Sequence, residues 1–182
     1  MSKKYIFDEA LLRELNFEDQ EGISFNNSIT QNDPGENLKM RPLSRDDYNH
    51  GYYKLLAQLS APGNVTKEEF ESRFDEMAAC SDTYYIFVIE DTNSHQLVAS
   101  CTVAVEKKFI RGCCRRGRIE DVVVDEAYRG RELGKLIVLT GKKLARKLGC
   151  YKLTLDCSTE KIPFYEKFGL RNDECNFMVI RF

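Results

Sequence analysis

The sequence lacks the features that mark secreted, membrane-spanning and metal-binding proteins. No apolar run approaches the roughly 18 residues that a membrane helix needs, and the opening segment MSKKYIFDEALLREL interrupts its apolar positions with acids, unlike a secretory signal. Seven cysteines follow no disulfide spacing and no C-x-x-C pattern, and the two histidines are far from them in sequence. Reduced thiols are therefore a better interpretation than a zinc site. We expect a cytoplasmic protein without a metal cofactor.

An excess of charge of one sign is also missing. The formal net charge is −2, which argues against generic nucleic-acid binding. Positive charge is nevertheless concentrated in one segment, KKFIRGCCRRGR at 107–118. An acidic protein with one basic segment is suited to small polyanions rather than to nucleic acid.

The length of 182 residues suits one domain, and the element order indicates an α/β or α+β class. A short helix at 8–16 and a polar, turn-rich stretch at 18–37 predict an N-terminal helix and extended arm over 1–37. The domain over 38–182 is expected to contain a strand at 38–43, a helix from Ser44 or Asp46 to about 59, and a helix opened by a Thr66–Glu69 capping box. Strands at 84–90, 96–109 and 118–124 follow, then a helix ending at Gly149, a strand at 151–157, a short helix and a final strand in CNFMVIRF.

The segment YRGRELGKL at 128–136 joins an apolar strand to an amphipathic helix. A helix N-terminus leaves about four N–H groups without intrahelical partners and carries partial positive charge, and glycine lets the backbone approach an anion closely. The segment therefore predicts a phosphate site, reinforced by Arg129, Arg131 and Lys135. The spacing of Gly130 and Gly134 matches neither a Walker A loop nor a dinucleotide-binding fingerprint. A plain turn with solvated cations is the alternative.

The same segment resembles the Q/R-x-x-G-x-G/A loop of the GNAT superfamily of N-acetyltransferases, with Arg129 first, Gly134 last and Glu132 in place of the middle glycine. YKLTLDC and PFYEKFGL follow in the order of that family. From about residue 38 to the end, RGRIEDVVVDEAYRGRELGK, GCYKLTLDC and FYEKFG are similar to the branch that acetylates glucosamine 6-phosphate. The resemblance implies a mixed, mostly antiparallel sheet flanked by helices, with acetyl-CoA as co-substrate and no metal.

The implied reaction is direct attack by the C2 amine of glucosamine 6-phosphate on the acetyl-CoA thioester in a ternary complex, within UDP-N-acetylglucosamine biosynthesis. By resemblance, Tyr165 protonates the leaving thiolate, Asp156 holds the attacking amine and Glu120 lies at the sugar. Tyr165 could instead be a core residue, and Glu120 or Asp121 could form a surface ion pair with Arg118. Strand alternation predicts that at most one of Glu120 and Asp121 faces a given side.

The resemblance also implies two sets of contact residues. Those for acetyl-CoA are Val122, Val123, Val124, Arg129, Gly130, Arg131, Glu132, Leu133, Gly134, Lys135, Cys157, Tyr165, Glu166 and Lys167. Those for the phosphosugar are Lys108, Phe109, Ile110, Arg111, Glu120, Asp121, Val122, Tyr151, Lys152, Asp156 and Arg181. The strand 122–124 would pair with the pantetheine arm, and a bulge there would free N–H groups for an oxyanion.

In a regular strand, Cys157 is expected on the face opposite Asp156. Its thiol could carry the acetyl group, or it could be a small buried side chain. We favour direct transfer, because a glycosyl amine deprotonates readily and needs no covalent relay.

The C-terminal segment NFMVIRF would leave an exposed strand edge in a monomer. The enzymes that the chain resembles are homodimers with crossing C-terminal strands. A homodimer with shared active sites is therefore implied, to which Lys152, Asp156 or Arg181 could contribute across the interface. Two alternatives remain open, a GNAT-fold acetyltransferase acting on a peptide amine and a non-catalytic acyl-CoA-binding module. No nucleic-acid partner and no membrane span are expected.

Overall fold

The computed structural model describes residues 4–173 and 177–180. Its sheet has five strands in the order β1-β2-β3-β4-β5, formed by Leu38–Pro42, Tyr84–Asp91, Leu97–Lys107, Arg115–Val124 and Cys150–Thr154. The first three pairings are antiparallel, and β4 pairs with β5 in parallel. The predicted mixed, mostly antiparallel sheet is confirmed.

The helices are Ala10–Arg13 (α1), Tyr52–Leu56 (α2), Lys67–Ala79 (α3), Ile110–Cys113 (α4), Leu133–Lys147 (α5) and Ile162–Glu166 (α6). The segment α4 is an irregular turn rather than a regular helix, because Arg111 and Gly112 have left-handed φ angles of 53° and 68°. Turns of 3-10 helix cover Glu126–Tyr128 and Thr159–Lys161. The capping box at α3 is confirmed, because Thr66 accepts a hydrogen bond from the Glu69 N–H and the Glu69 carboxylate accepts one from the Thr66 N–H. The helix predicted from residue 44 is wrong in its first part. Gly51 has a φ of 80°, a left-handed conformation that α-helix cannot include, so α2 begins only at Tyr52.

Both faces of the sheet are covered. In β2, Tyr85, Phe87 and Ile89 belong to the apolar cluster that includes α5, whereas Ile86 and Val88 belong to the cluster that includes α2 and α3. A strand buried on both faces is apolar along nearly its whole length. This explains the run YYIFVI in β2.

Three charged side chains between β1 and β2 form the group that we call the buried triad, Arg41, Asp47 and Glu90. Arg41 donates two hydrogen bonds of 2.8 Å to the Asp47 carboxylate and one of 2.7 Å, from Nε, to Glu90. Side-chain exposure is only 5%, 0% and 15%, respectively. Burial opposes the charged form of Arg41, but the hydrogen bonds and charges of Asp47 and then Glu90 prevail and raise its pKa. The triad therefore joins β1, the following turn and β2.

The N-terminal arm is anchored to the domain. Its buried apolar side chains share the core cluster of α5, namely Phe17, Ile23 and Ile29. Glu21 forms ion pairs with three cations of α5, Lys142 at 2.6 Å, Lys143 at 3.5 Å and Arg146 at 2.8 Å. The arm thus covers the outer side of α5.

The prediction of a final strand in CNFMVIRF is wrong for residues 177–180. Residues 177–180 lie outside the sheet, and their apolar side chains are exposed: Phe177 by 70%, Met178 by 90%, Val179 by 57% and Ile180 by 75%. Cys175, Asn176, Arg181 and Phe182 of that prediction lie outside the described residues. Within the described ranges, no helix has both the length and the apolar character to cross a bilayer.

Candidate active site

A β-bulge interrupts β4 shortly before its end. Pairing with β3 is regular on both sides of the bulge, but Asp121 and Val122 together face the single residue Cys101. Asp121 has a φ of 52°, a left-handed conformation that aspartate adopts more readily than most residues. The bulge interrupts the alternation of the strand, and both Glu120 and Asp121 line the cleft.

The cleft opens where β4 and β5 separate. Their last paired residues are Arg118 and Thr154, and β5 ends at Thr154 rather than at the predicted Cys157. From there β4 continues to Val124 while the following chain diverges, leaving a cleft of about 230 Å³. A strand edge of this kind presents backbone N–H and C=O groups to an extended ligand.

The cleft brings together the three residues predicted to carry the chemistry. Its lining residues are Leu59, Ile119, Glu120, Asp121, Val122, Leu155, Asp156, Cys157, Lys161 and Tyr165. Glu120 comes from β4, Asp156 from the segment after β5, and Tyr165 from α6. Leu59 and Lys161 were not predicted, because nothing in the sequence around them indicates which cleft they would reach.

Arg118 links two of these residues, and we call Arg118, Glu120 and Asp156 the cleft triad. The Arg118 Nε donates to Glu120 at 2.6 Å, and an Nη2 hydrogen bond goes to Asp156. Partial burial opposes the charge of Arg118, yet the hydrogen bond to Glu120 and the charge of Asp156 raise its pKa. The alternative considered for Glu120, an ion pair with Arg118, is therefore present. It is compatible with a ligand, because the carboxylates of Glu120 and Asp156 are 45% and 46% exposed.

Tyr165 is both a core residue and part of the cleft wall. Its side chain is 8% exposed, and its ring packs edge-on against Phe164 with centroids 5.1 Å apart. Burial raises the pKa of the Tyr165 phenol, and the neighbouring thiols of Cys157 and Cys101 add to the shift. The phenol therefore stays protonated at neutral pH and is able to donate a proton. Glu166 and Lys167 follow it on the exposed side of the chain.

Asp121 and Cys157 differ from simple expectation. Burial raises the pKa of the Asp121 carboxyl and the charge of Glu120 adds to the shift, although part of the side chain remains in contact with solvent. Cys157 is exposed, so its interpretation as a small buried side chain is wrong, and it lines the same cleft as Asp156. The prediction that it lies on the opposite strand face applied to a regular strand, but β5 ends at Thr154, before either residue. In residues 4–173 and 177–180, no group of three or more His, Cys, Asp or Glu is arranged to hold a metal ion.

The glycine-spaced loop leads into α5 as predicted. Gly130 has a φ of 80°, and an added Cβ would meet no described atom within 4 Å, so conformation rather than crowding favours glycine there. The first intrahelical hydrogen bond runs from the Leu136 N–H to the Glu132 carbonyl at 3.1 Å. The N–H groups of residues 133–135 therefore point beyond the start of the helix. This geometry suits an anion.

The loop and the cleft are adjacent. A Cβ added at Gly134 would lie 3.8 Å from Phe164 and 3.9 Å from Val124, so the start of α5, the end of β4 and α6 meet at this residue. The Arg131 guanidinium lies 4.8 Å from the ring centre of Tyr128. An extended ligand could therefore follow β4 from the cleft to the loop.

A second set of predicted residues lies elsewhere. The Arg111 guanidinium is 5.2 Å and the Lys152 ammonium 5.8 Å from the ring centre of Tyr151. Lys152 pairs with Arg116, four residues before Glu120 along β4, which corresponds to a separation of roughly 13 Å. Within one chain, these predicted sugar-phosphate contacts are therefore not part of the cleft.

The neighbouring hairpin end is exposed. Phe109 and Ile110 are 97% and 66% exposed, and Lys108 forms an ion pair with Glu106. Arg181, the remaining predicted contact of the sugar phosphate, lies outside the described residues.

Fold and loop together define an acetyltransferase. Residues 45–170 match the model of the Acetyltransferase (GNAT) family, and the chain belongs to that family. The family resemblance noted from the sequence is thereby confirmed.

Individual relatives carry more specific names. The chain is 45% identical, over 166 residues, to the probable glucosamine 6-phosphate N-acetyltransferase of Drosophila melanogaster, covering 91% of this chain and 75% of that protein. It is 45% identical to the glucosamine 6-phosphate N-acetyltransferase of Arabidopsis thaliana, over 75% of this chain and 92% of the relative. The crystal structure of the Arabidopsis enzyme matches with a TM-score of 0.76 at 43% identity, covering 80% of this chain and 99% of that chain. A Trypanosoma brucei acetyltransferase structure matches with a TM-score of 0.73 at 32% identity, covering 79% and 99%.

Proposed function

We propose that this chain transfers the acetyl group of acetyl-CoA to the amine of D-glucosamine 6-phosphate, giving N-acetylglucosamine 6-phosphate and CoA for UDP-N-acetylglucosamine biosynthesis. The observation that carries the proposal is the cleft between β4 and β5, where Tyr165, Asp156 and Glu120 meet next to the start of α5. The names of the relatives support the choice of acceptor.

The described residues fit acetyl-CoA. Among the described residues, no strand pairs with β4 at 122–124 on the side away from β3, and this edge suits the extended pantetheine arm. The N–H groups of 133–135 and the open side of Gly130 suit a diphosphate. Bound there, acetyl-CoA supplies the thioester that the sugar amine attacks. Backbone N–H groups at the bulge would stabilise the charge that develops on the carbonyl oxygen.

The cleft triad supplies the polar contacts of the acceptor. Asp156 would hold the attacking amine through its carboxylate or its backbone carbonyl, and Glu120 would bind a hydroxyl or the amine. Arg118 holds both carboxylates in place. The amine must be neutral to attack, so turnover should fall as the pH drops below the pKa of the amine.

Tyr165 would protonate the departing thiolate, since its raised pKa keeps the phenol neutral. Replacing it by phenylalanine removes only the hydroxyl, so we expect Tyr165→Phe to lower kcat by about 10²-fold with little change in thermal stability. Steady-state thiol release measures kcat, and Tyr53→Phe on α2, outside the cleft, is the matched control. Full turnover by Tyr165→Phe would leave Tyr165 as a core residue only.

The assay that tests the whole proposal compares acceptors. Thiol release from acetyl-CoA is measured with glucosamine 6-phosphate, with glucosamine and with a peptide amine. We expect the phosphosugar to give by far the highest kcat/KM. Preference for the peptide would favour a peptide acetyltransferase, and CoA binding without acceleration by any amine would favour an acyl-CoA-binding module.

We further propose a cytoplasmic homodimer with shared sites. Free thiols at all six described cysteines suit a reducing compartment. The exposed apolar segment 177–180 suits a subunit interface, and Tyr151 and Lys152 lie too far along the sheet to serve the cleft of their own chain. They are available to the cleft of a partner.

Mixing two inactive variants tests this sharing. Lys152→Met and Asp156→Asn chains, unfolded and refolded together, should regain turnover that neither has alone, because each mixed dimer contains one intact site. Light scattering should report a dimer. A monomer, or mixed dimers without activity, would contradict shared sites.

A further inference from the structure

Glu132 has an unfavourable backbone conformation and an unusually constrained side chain. Its φ of 62° and ψ of 10° are left-handed, which is rare for a residue with a side chain. The side chain is only 9% exposed. One carboxylate oxygen accepts a hydrogen bond from the Lys135 ammonium at 2.6 Å, and the other accepts one from the main-chain N–H of Asn26 at 2.7 Å. The Lys135 hydrogen bond, followed by the Asn26 N–H and the charge of Lys135, lowers the pKa of Glu132.

Both charged groups of this contact face the N-terminal arm. The Lys135 ammonium also donates to the Ser24 carbonyl at 3.1 Å and lies 5.9 Å from the ring centre of Phe25. We call these contacts between 24–27 and the residues Glu132 and Lys135 the arm clamp. It turns the carboxylate of Glu132 towards the arm and pairs it with a cation, which limits its repulsion of a bound anion.

The N-terminal arm is also attached to α5 at a second point, further along the helix. Glu21 is 10% exposed and bridges Lys142 and Arg146 of α5, and the Lys143 ammonium donates to the Asp19 carbonyl at 2.5 Å. The arm therefore cannot shift along α5 without breaking several ion pairs. The N–H groups that open α5 are held at one end of the same helix.

We propose that Glu132 is a positioning residue, and that the arm clamp holds the 129–135 loop in the conformation that receives the diphosphate of CoA. The N-terminal arm thereby contributes to acetyl-CoA affinity without touching it. This inference rests on the proposed function, since it assumes that the loop binds CoA.

Two replacements of Glu132 distinguish the effect of losing the arm clamp from the cost of the left-handed backbone conformation. Glu132→Ala loses the clamp and keeps the unfavourable conformation, so we expect CoA to bind about tenfold more weakly. Glu132→Gly also loses the clamp, but glycine adopts the left-handed conformation at little cost, so a smaller loss is expected. Both are measured in the full chain by calorimetry with CoA and by the KM for each substrate. The KM for acetyl-CoA should rise while the KM for glucosamine 6-phosphate stays unchanged.

Glu14→Gln is the matched control. It removes another ion pair between the N-terminal region and α5, at 2.8 Å from Lys147, far from the loop, and should leave CoA affinity unchanged. Faster hydrogen exchange of the 129–135 amides in Glu132→Ala, but not in Glu14→Gln, would support the inference. Equal CoA binding by the parent protein and Glu132→Ala would overturn it, as would equal losses in Glu132→Ala and Glu132→Gly. Absence of CoA binding by the parent protein would overturn the proposed function as well.

Discussion

The buried triad and the cleft triad have the same composition, one arginine between two carboxylates, and lie towards opposite edges of the sheet. In the buried triad the side chains are 5%, 0% and 15% exposed. In the cleft triad they are 27%, 45% and 46% exposed. In the first group Arg41 and Asp47 are almost completely shielded from water and Glu90 is largely shielded, so these charges depend mainly on their protein partners.

The difference indicates what each group is suited to do. Removing one partner from a buried ion pair leaves an uncompensated charge in a low dielectric, at a cost of about 3–5 kcal/mol. A solvated pair contributes about 0–1 kcal/mol, so its members exchange partners cheaply. The buried triad is therefore structural, and the cleft triad is able to give its carboxylates to a ligand.

The largest effect is expected from breaking the buried triad. Arg41→Met should lower the free energy of unfolding by about 3–5 kcal/mol, because the buried Asp47 side chain loses its ion-pair partner. Urea denaturation at neutral pH measures this, with Arg118→Met as the control, for which a change within about 1 kcal/mol is expected. Equal losses in the two variants would contradict the comparison.

Acid should reduce the difference in the free energy of unfolding between the parent protein and Arg41→Met. Burial opposes the ionisation of Glu90, but hydrogen bonds from His95 and Arg41 and the charge of Arg41 lower its pKa below the ordinary value of 4.5. The stabilisation from the ion pair is thus complete above pH 4.5 and is lost as the pH falls through the lower pKa of the folded state. Arg41→Met should lack this part of the acid sensitivity.

Substitutions in the cleft triad should lower turnover strongly and stability little, the reverse of substitutions in the buried triad. Asp156→Asn should lower turnover by about 10²-fold, with a melting temperature close to that of the parent protein, because Asp156 is half exposed. Asp82→Asn, an exposed carboxylate 3.8 Å from Lys107 and Arg115, is the control. Unchanged turnover in Asp156→Asn would remove Asp156 from the proposed chemistry.

A smaller effect, of the opposite sign on stability, is expected at the bulge. Because burial raises the pKa of Asp121, its ionised form is disfavoured in the folded state. Asp121→Asn keeps the shape and tolerates the φ of 52°. Because Asp121 is exposed and solvent screens its charge, the melting temperature at neutral pH should rise by no more than about 1 °C.

Below the ordinary aspartate pKa of 3.8 this gain should vanish, because the carboxyl is then neutral in both states. Thermal scans at neutral and acid pH measure it. A lower melting temperature at neutral pH would mean that the ionised carboxylate is stabilising.

The smallest effect is expected at Cys157. Direct transfer needs no thiol carrier, so Cys157→Ser should keep nearly full turnover although the side chain lines the cleft. Steady-state thiol release measures this, after folding has been checked by circular dichroism. Loss of nearly all turnover in the folded variant would indicate a covalent acetyl-enzyme.

Local patterns in the sequence predicted local structure well. The Thr66–Glu69 capping box and the start of α5 at Leu133 depend on residues within one turn, and both are present. Local patterns gave wrong predictions where segments far apart in the sequence determine the geometry. The alternation of YKLTLDC does not reveal that β4 and β5 separate after Thr154.

The site shows the same limit. Arg118 shares a strand face with Glu120, two residues later, so this ion pair could be foreseen. Its hydrogen bond to Asp156 spans 38 positions, and that from Asn26 to Glu132 spans 106, so neither has a local signal. A bulge in the strand at 122–124 is among the predictions, but nothing in the sequence indicates the left-handed φ of Asp121.

The anchoring of the N-terminal arm bears on how the protein should be produced. The family match covers residues 45–170, which suggests an expression clone limited to that range. The shortened protein would expose the part of the apolar core that Ile23 and Ile29 cover. It would also lose the ion pairs of Glu21 with three cations of α5. Recombinant work should therefore retain the leading segment, with affinity tags placed ahead of it.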